Sequence, residues 1–244
     1  MDQVPAAAIR ELAPTGRLRA TINLGNIVLA QQDPATGALG GVSVDLAHEL
    51  AGRLGVPVEL FPFDTAGKAF GALQSSSCDV GFLAIDPVRA ADLDFTGPYV
   101  IIEGTYLVPD SSPLRDIDDV DQDGIRIAAG KNAAYDLYLS RSLKHARLVH
   151  APSSRAGIEL LLAGKTEAAA GVRQSLAAAA AESSGFRVLD GRFLVIQQAM
   201  AVPKGRPAGA DYLRGFVEEM KASGFIAASL AKSGQGEATV APPG

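Results

Sequence analysis

Residues 41–85 read GVSVDLAHELAGRLGVPVELFPFDTAGKAFGALQSSSCDVGFLAI, and this stretch decides the fold class. Ser43 is predicted to cap a helix, with Asp45 in its first turn, where the helix dipole favours negative charge. Leu46, Leu50 and Leu54, flanked by Ala47 and Ala51, share one face, and Gly55 ends the helix. Val56–Phe61 then returns to strand, Thr65 caps a second helix running through Leu73, and Asp79–Ile85 is almost continuously apolar. An unbroken apolar strand is buried on both faces, as in a parallel sheet whose crossovers are helices. The stretch is therefore βαβ in rhythm and predicts a mostly parallel, helix-covered sheet.

Working outward, Leu18–Asn23 supplies a strand before this unit, and Gly104–Pro109 supplies one after it. Asp110–Asp123 is polar and acidic with little periodicity. A second series follows: strand Ile125–Ala129, helix Ala133–Leu143, strand Arg147–His150, helix Arg155–Leu162 behind cap Ser153, and strand Glu167–Val172. An alanine-rich helix, Gln174–Glu182, and strand Phe186–Leu189 complete it. Phe193–Val202 is a long β run closed by Pro203, and helices over 211–222 and 225–232 follow. Two series linked by two crossings predict two α/β lobes: 18–106 with 203–233, and 107–202. Residues 1–17 are an N-terminal extension and 234–244 a flexible tail. Ligands of such sheets sit at the carboxyl ends of the strands.

The 244 residues carry 22 basic and 27 acidic side chains, a net charge of -5, which argues against a phosphate-backbone partner. The single cysteine, Cys78, excludes an intrachain disulfide and a Cys-based zinc cage, and is expected as a small core residue. Met1–Glu11, MDQVPAAAIRE, has no apolar core and does not read as a signal peptide. The expectation is a mature chain or a protein kept inside the cell. No run of about 18 apolar residues is present to span a membrane.

Several motifs fail on chemistry. Asp119-Val120-Asp121-Gln122-Asp123-Gly124 imitates half of a calcium loop, but the closing bidentate glutamate would be Gly130. Gly164-Lys165-Thr166 resembles the end of a phosphate loop, yet it lies between a helix and a strand, and Glu159 stands where the earlier glycine belongs. There is no G-x-S-x-G elbow and no G-x-G-x-x-G turn. His48, His145 and His150 have no ligand spacing, so neither a metal nor a cofactor is expected.

The order of several short elements resembles the amino-acid-type periplasmic solute-binding proteins of ABC transporters. Gly41-Val42-Ser43-Val44-Asp45-Leu46 is similar to their G-F-D-V-D-L helix start, and Leu73-Gln74 with Cys78-Asp79-Val80-Gly81 to their A-L-Q-S-G-x-x-D step. Asp86-Pro87-Val88-Arg89-Ala90 resembles T-P-E-R-A, and Asp94-Phe95-Thr96-Gly97-Pro98-Tyr99 resembles D-F-S-x-P-Y. Ile127-Ala128-Ala129-Gly130 and Gly164-Lys165-Thr166-Glu167-Ala168 continue the match through the second series.

The resemblance implies a two-lobe periplasmic-binding-protein-like clamshell, each lobe a mostly parallel sheet flanked by helices, joined by two hinge strands. It implies a monomer that traps a small organic acid or amino acid between its lobes and delivers it to an ABC permease in the periplasm, without catalysis. Arg89 matches the family arginine that grips a carboxylate with its planar fork. The competing reading is a surface arginine paired with Asp86 or Asp92.

The backbone at Ala84 and the loop Asn23–Asn26 would line the same wall. Gly130, Lys131 and Asn132 are expected to open a helix whose amides form an anion site, with Lys131 adding charge. The family's ammonium-binding aspartate falls on Val172, followed by Arg173, and neither accepts a hydrogen bond from an ammonium. Arg89, Lys131 and Arg173 together favour a carboxylate or dicarboxylate without an α-amine. Glu103 is the candidate for a compensating negative charge or a hinge-bonding carboxylate. The alternatives are an enzyme similar to cyclohexadienyl dehydratase, with Glu103 and Arg173 in the reaction, and an intracellular ligand sensor.

Overall fold

A computed structural model describes residues 4–244; Met1–Gln3, part of the expected extension and of the segment read for a signal, lie outside the described residues. In chain order the elements are α1 (Ala6–Leu12), β1 (Leu18–Asn23), β2 (Gln31–Gln32), β3 (Leu39–Gly40), α2 (Val42–Leu54), β4 (Val58–Phe63), α3 (Ala66–Gln74), β5 (Gly81–Ala84), α4 (Pro87–Ala90) and β6 (Leu93–Pro109). They continue with β7 (Arg126–Gly130), α5 (Ala134–Ser142), β8 (Arg147–Ala151), α6 (Ser154–Leu162), β9 (Ala168–Val172), α7 (Arg173–Glu182), β10 (Phe186–Val188) and β11 (Leu194–Pro203). The last are α8 (Pro207–Ala222), α9 (Phe225–Lys232) and β12 (Thr239–Val240).

The described residues form two compact units: those up to Ile101 with Gln197–Gly244, and Ile102–Ile196. The chain passes from one to the other within β6 and again within β11. The expected borders at 106 and 202 fall a few residues further along these same two strands.

In the first unit β1 runs parallel to β4 from Leu18 opposite Val58 to Asn23 opposite Phe63. On its other side β1 meets the start of β5 through a parallel bridge at Ala20 and Val80. In the second unit β7 lies between β8 and β9, both parallel to it. The βαβ crossovers thus set parallel neighbours, as the rhythm predicts. The two crossing strands make the sheets mixed, since β11 is antiparallel to β5 and β6 antiparallel to β9.

Each unit has an apolar centre of its own. Leu73, Cys78, Leu83 and Leu93 close one cluster in the first unit, and Leu107, Leu161, Ala169 and Leu176 one in the second. Burial pushes the Cys78 thiol up to about 11, which keeps it an inert core group.

Helix ends follow local chemistry with one exception. Thr65 and Ser153 cap α3 and α6 by accepting from the amides of Lys68 and Ala156. Ser43 does not cap α2, which begins at Val42 behind Gly41, two residues earlier than a Ser43 cap would set it. Gly41 has φ 102, and a Cβ there would stand 2.6 Å from the Leu29 carbonyl, so only glycine brings the two segments this close. Ser43 is buried instead, its hydroxyl 3.4 Å from that of Tyr99.

The N-terminal extension and the segment expected as a flexible tail are both tied down by tertiary contacts. Within the N-terminal extension, α1 packs on α8 and buries Ala8 and Leu12. The Glu11 carboxylate accepts from the Gly209 amide at 2.7 Å. Within the expected tail, β12 pairs with Val100 and Ile101, and the Lys221 ammonium donates to the Pro242 carbonyl. No helix among the described residues is long and apolar enough to cross a membrane.

Candidate functional site

Parallel strands end on the same edge of their sheet, so each unit gathers its expected residues at one place. In the first unit that edge carries the loop after β1, with Asn23 and Asn26, and the turn after β5, with Ala84 and Arg89. The Asn23 side chain accepts from the Gly25 amide at 3.1 Å and Asn26 from the Val28 amide at 3.2 Å. The Asn26 carbonyl also accepts from the amides of Leu29 and Ala30. The loop is thus shaped by its own two buried asparagines.

Asp86 begins the next turn, accepting from the Val88 amide, and Pro87 supplies the helical φ without an amide to satisfy. The turn directs Arg89 inward. Arg89 is 2% exposed and its Nη1 donates to the Ala84 carbonyl at 3.0 Å. This overturns the reading of Arg89 as a surface arginine. Burial pulls its pKa down to about 10, more than the Asp86 charge raises it. Asp92, the other proposed partner, accepts from the Gln74 amide nitrogen instead.

In the second unit the corresponding edge carries Gly130 at the end of β7 and Arg173 directly after β9. A Cβ on Gly130 would stand 2.6 Å from the Ser154 amide, so this glycine lets the start of α6 approach the strand. The expected open anion site over Gly130–Asn132 is already filled from within. The Lys131 amide donates to the Ala151 carbonyl, and the Asn132 amide to the Asp136 carboxylate at 2.8 Å. Helix α5 begins only at Ala134, and Asn132 adopts the left-handed conformation at φ 61. Asp136, buried in the first turn of α5, also meets the His150 ring Nδ1 at 2.8 Å. Lys131 and Asn132 are exposed.

Glu103 and Arg173 are brought into contact, joined by Arg192, which the sequence reading did not single out. Glu103 lies on β6 beside the end of β9, since Gly104 pairs with Val172. Its carboxylate accepts from Arg192 Nη1 at 2.5 Å and Arg173 Nε at 2.8 Å, and these arginines hold it below the usual carboxylate range. The rest of the Arg173 fork donates to the carbonyls of Leu189 and Gly191. Arg173 opens α7, where a cation is disfavoured by the helix dipole, and Glu103 offsets that. The fork expected to grip a second acidic group therefore fastens β6, the 189–192 turn and α7 to one another.

The calcium-loop imitation is likewise an internal device. Asp119 accepts from the amides of Arg115 and Asp116, and Asp121 from those of Lys144, His145 and Ala146. Among the described residues no three His, Cys, Asp or Glu side chains are arranged to hold a metal.

The family model for bacterial extracellular solute-binding proteins, family 3, matches residues 30–235. No curated protein matches the chain. Among solved structures, the solute receptor for L-cysteine of Neisseria gonorrhoeae is similar at 23% identity and TM-score 0.80, over 92% of each chain. An amino acid ABC transporter substrate-binding protein from Streptococcus pneumoniae bound to L-arginine is similar at 19% identity and TM-score 0.79, over 96% of this chain and 99% of that one. An ancestral amino acid-binding protein, a precursor of cyclohexadienyl dehydratase, is similar at 23% identity and TM-score 0.77, over 92% of this chain and 98% of that one.

Proposed function

The chain belongs to the bacterial extracellular solute-binding proteins, family 3, and from that membership we propose that it captures a small carboxylate through Arg89 for delivery to an ABC permease outside the cytoplasmic membrane. One observation carries this reading: a buried guanidinium, its charge disfavoured by burial, at the strand-end edge where α/β sheets bind ligands. A ligand carboxylate would offset that desolvation, and Arg can take it through two parallel hydrogen bonds. The family's ammonium-binding aspartate corresponds to Val172 of this sequence, whose side chain has no acceptor, and this favours acids without an α-amine.

Binding without turnover is the better-supported role. A dehydratase-like elimination needs a protonated acid, and Glu103 is held ionised by Arg192 and Arg173. The experiment is a thermal-shift panel of 2-oxo acids, dicarboxylates, cyclic acids and amino acids, the last including arginine and cysteine. A ligand at about 100 times its Kd adds about 2.7 kcal/mol of stability. A raised midpoint with amine-free acids, and no product after incubation, is the expected result. Shifts confined to amino acids would overturn the amine-free ligand class, and product formation would overturn the non-catalytic role.

A further inference from the structure

The chain leaves the first unit within β6, between Ile101 and Ile102, and β6 is fastened just short of that point. The Tyr99 side chain is fully buried, edge-on to Phe82, with its hydroxyl 3.4 Å from that of Ser43. The Tyr99 carbonyl accepts from the Ala241 amide at 3.0 Å. The next two residues pair antiparallel with β12, Val100 opposite Val240 and Ile101 opposite Thr239. The ties of the second unit begin at Glu103, which Arg173 and Arg192 grip, and at Gly104, whose carbonyl accepts from the Phe193 amide. Ile102 stands between the two sets.

The neighbours of β6 differ in what they can resist. β11 lies beside it in the sheet, but β11 is the other crossing strand and can bend with it. β12 belongs to the first unit alone, and it is tethered on both sides. Before it, the Gln235 amide donates to the Leu230 carbonyl of α9. After it, Ala241 is buried, and the Lys221 ammonium, on a side chain only 3% exposed, donates to the Pro242 carbonyl at 2.9 Å. The Gly244 amide donates to the Glu218 carboxylate. Pro242 and Pro243 have fixed φ and no amide to donate, which ends the pairing at Ala241 and stiffens the chain beyond it.

We infer that residues 235–244 form a strap that stiffens β6 up to Ile101 and confines its bending to the residues immediately beyond. Hinges are a few residues that absorb the backbone change, so a strand fastened this close sets where and how far β6 can bend. The role needs no contact between strap and solute, and it stands apart from what the protein binds.

The test removes residues 237–244 from the chain and, separately, unties the strap by Lys221→Met, which keeps a buried stem but loses the bond to Pro242. Melting temperatures report folding. Amide exchange over 99–102 should quicken at least tenfold in the shortened chain and by less in Lys221→Met, with exchange over β7–β9 unchanged. Spin labels at Lys68→Cys and Arg155→Cys, positions 63% and 91% exposed in the first and second units, read the bending as a distribution of label distances. The buried Cys78 stays unlabelled. The distribution should broaden in both variants. Faster exchange with an unchanged distribution in the shortened chain would reduce β12 to a local edge strand and overturn the inference, as would unchanged exchange. If the shortened chain does not fold, Lys221→Met decides by the same two readings.

Discussion

Replacing Asp79 with alanine is expected to lower the unfolding free energy by about 3 kcal/mol, the low end of the range for breaking a buried ion pair from one side. Asp79 is fully buried, and Arg19 grips it through Nε and Nη2, each at 2.8 Å. Arg206 adds a third bond at 3.1 Å, and its Nη1 also donates to the Glu11 carbonyl, which brings α1 into the same network. Removing the carboxylate leaves two guanidiniums, 20% and 15% exposed, beside each other without their shared counter-charge. Both keep a carbonyl partner and some water, which is why the low end applies. Urea unfolding measures the loss as a lower midpoint at constant slope. The exposed pair Arg155–Glu159 is the control, where Glu159→Ala should cost less than about 1 kcal/mol. A similar small loss at Asp79 would show that the network does not hold the unit together.

The second large effect concerns binding. Arg89→Ala should weaken the carboxylate ligand by more than about 2 kcal/mol, within the range for a hydrogen bond to a charged group, or about 30-fold in Kd. Arg89→Lys should recover only part of this, because an ammonium keeps the charge but not the planar fork. The lysine variant also separates binding from folding, since the alanine variant loses the Nη1 bond to the Ala84 carbonyl. Unchanged affinity in a folded Arg89→Lys and Arg89→Ala pair would remove the anchor.

Local sequence pattern carries information where the interactions that form an element are themselves local. The βαβ rhythm of residues 41–85 is legible because helix period, caps and apolar strands are all local, and the parallel pairing follows from the crossovers. Helix α1 and strand β12 are not legible. Their stability comes from Gly209, Arg206 and the backbone of β6, far away in sequence. Ser43 looks like a cap because its residue type suits one, yet the left-handed Gly41 against Leu29 moves the helix start.

The site divides the same way. Arg89 is findable from its motif, but whether it faces solvent or the interior is a tertiary fact. The occupied state of Arg173 depends on Glu103, seventy positions away. Asp136 had a local signal, an acidic side chain in the first turn of α5, four residues after Asn132, where it reaches back to that amide. Its contact with His150 needed the β7–β8 pairing to be known.

The most direct test of carboxylate capture at Arg89 compares a bound acid with its primary amide, equal in shape and lacking the charge. Calorimetric titration of the unmodified protein should give binding by the acid and at least a 30-fold weaker Kd for the amide. Equal affinities for the two would contradict a charge-gripping Arg89, whatever the ligand proves to be.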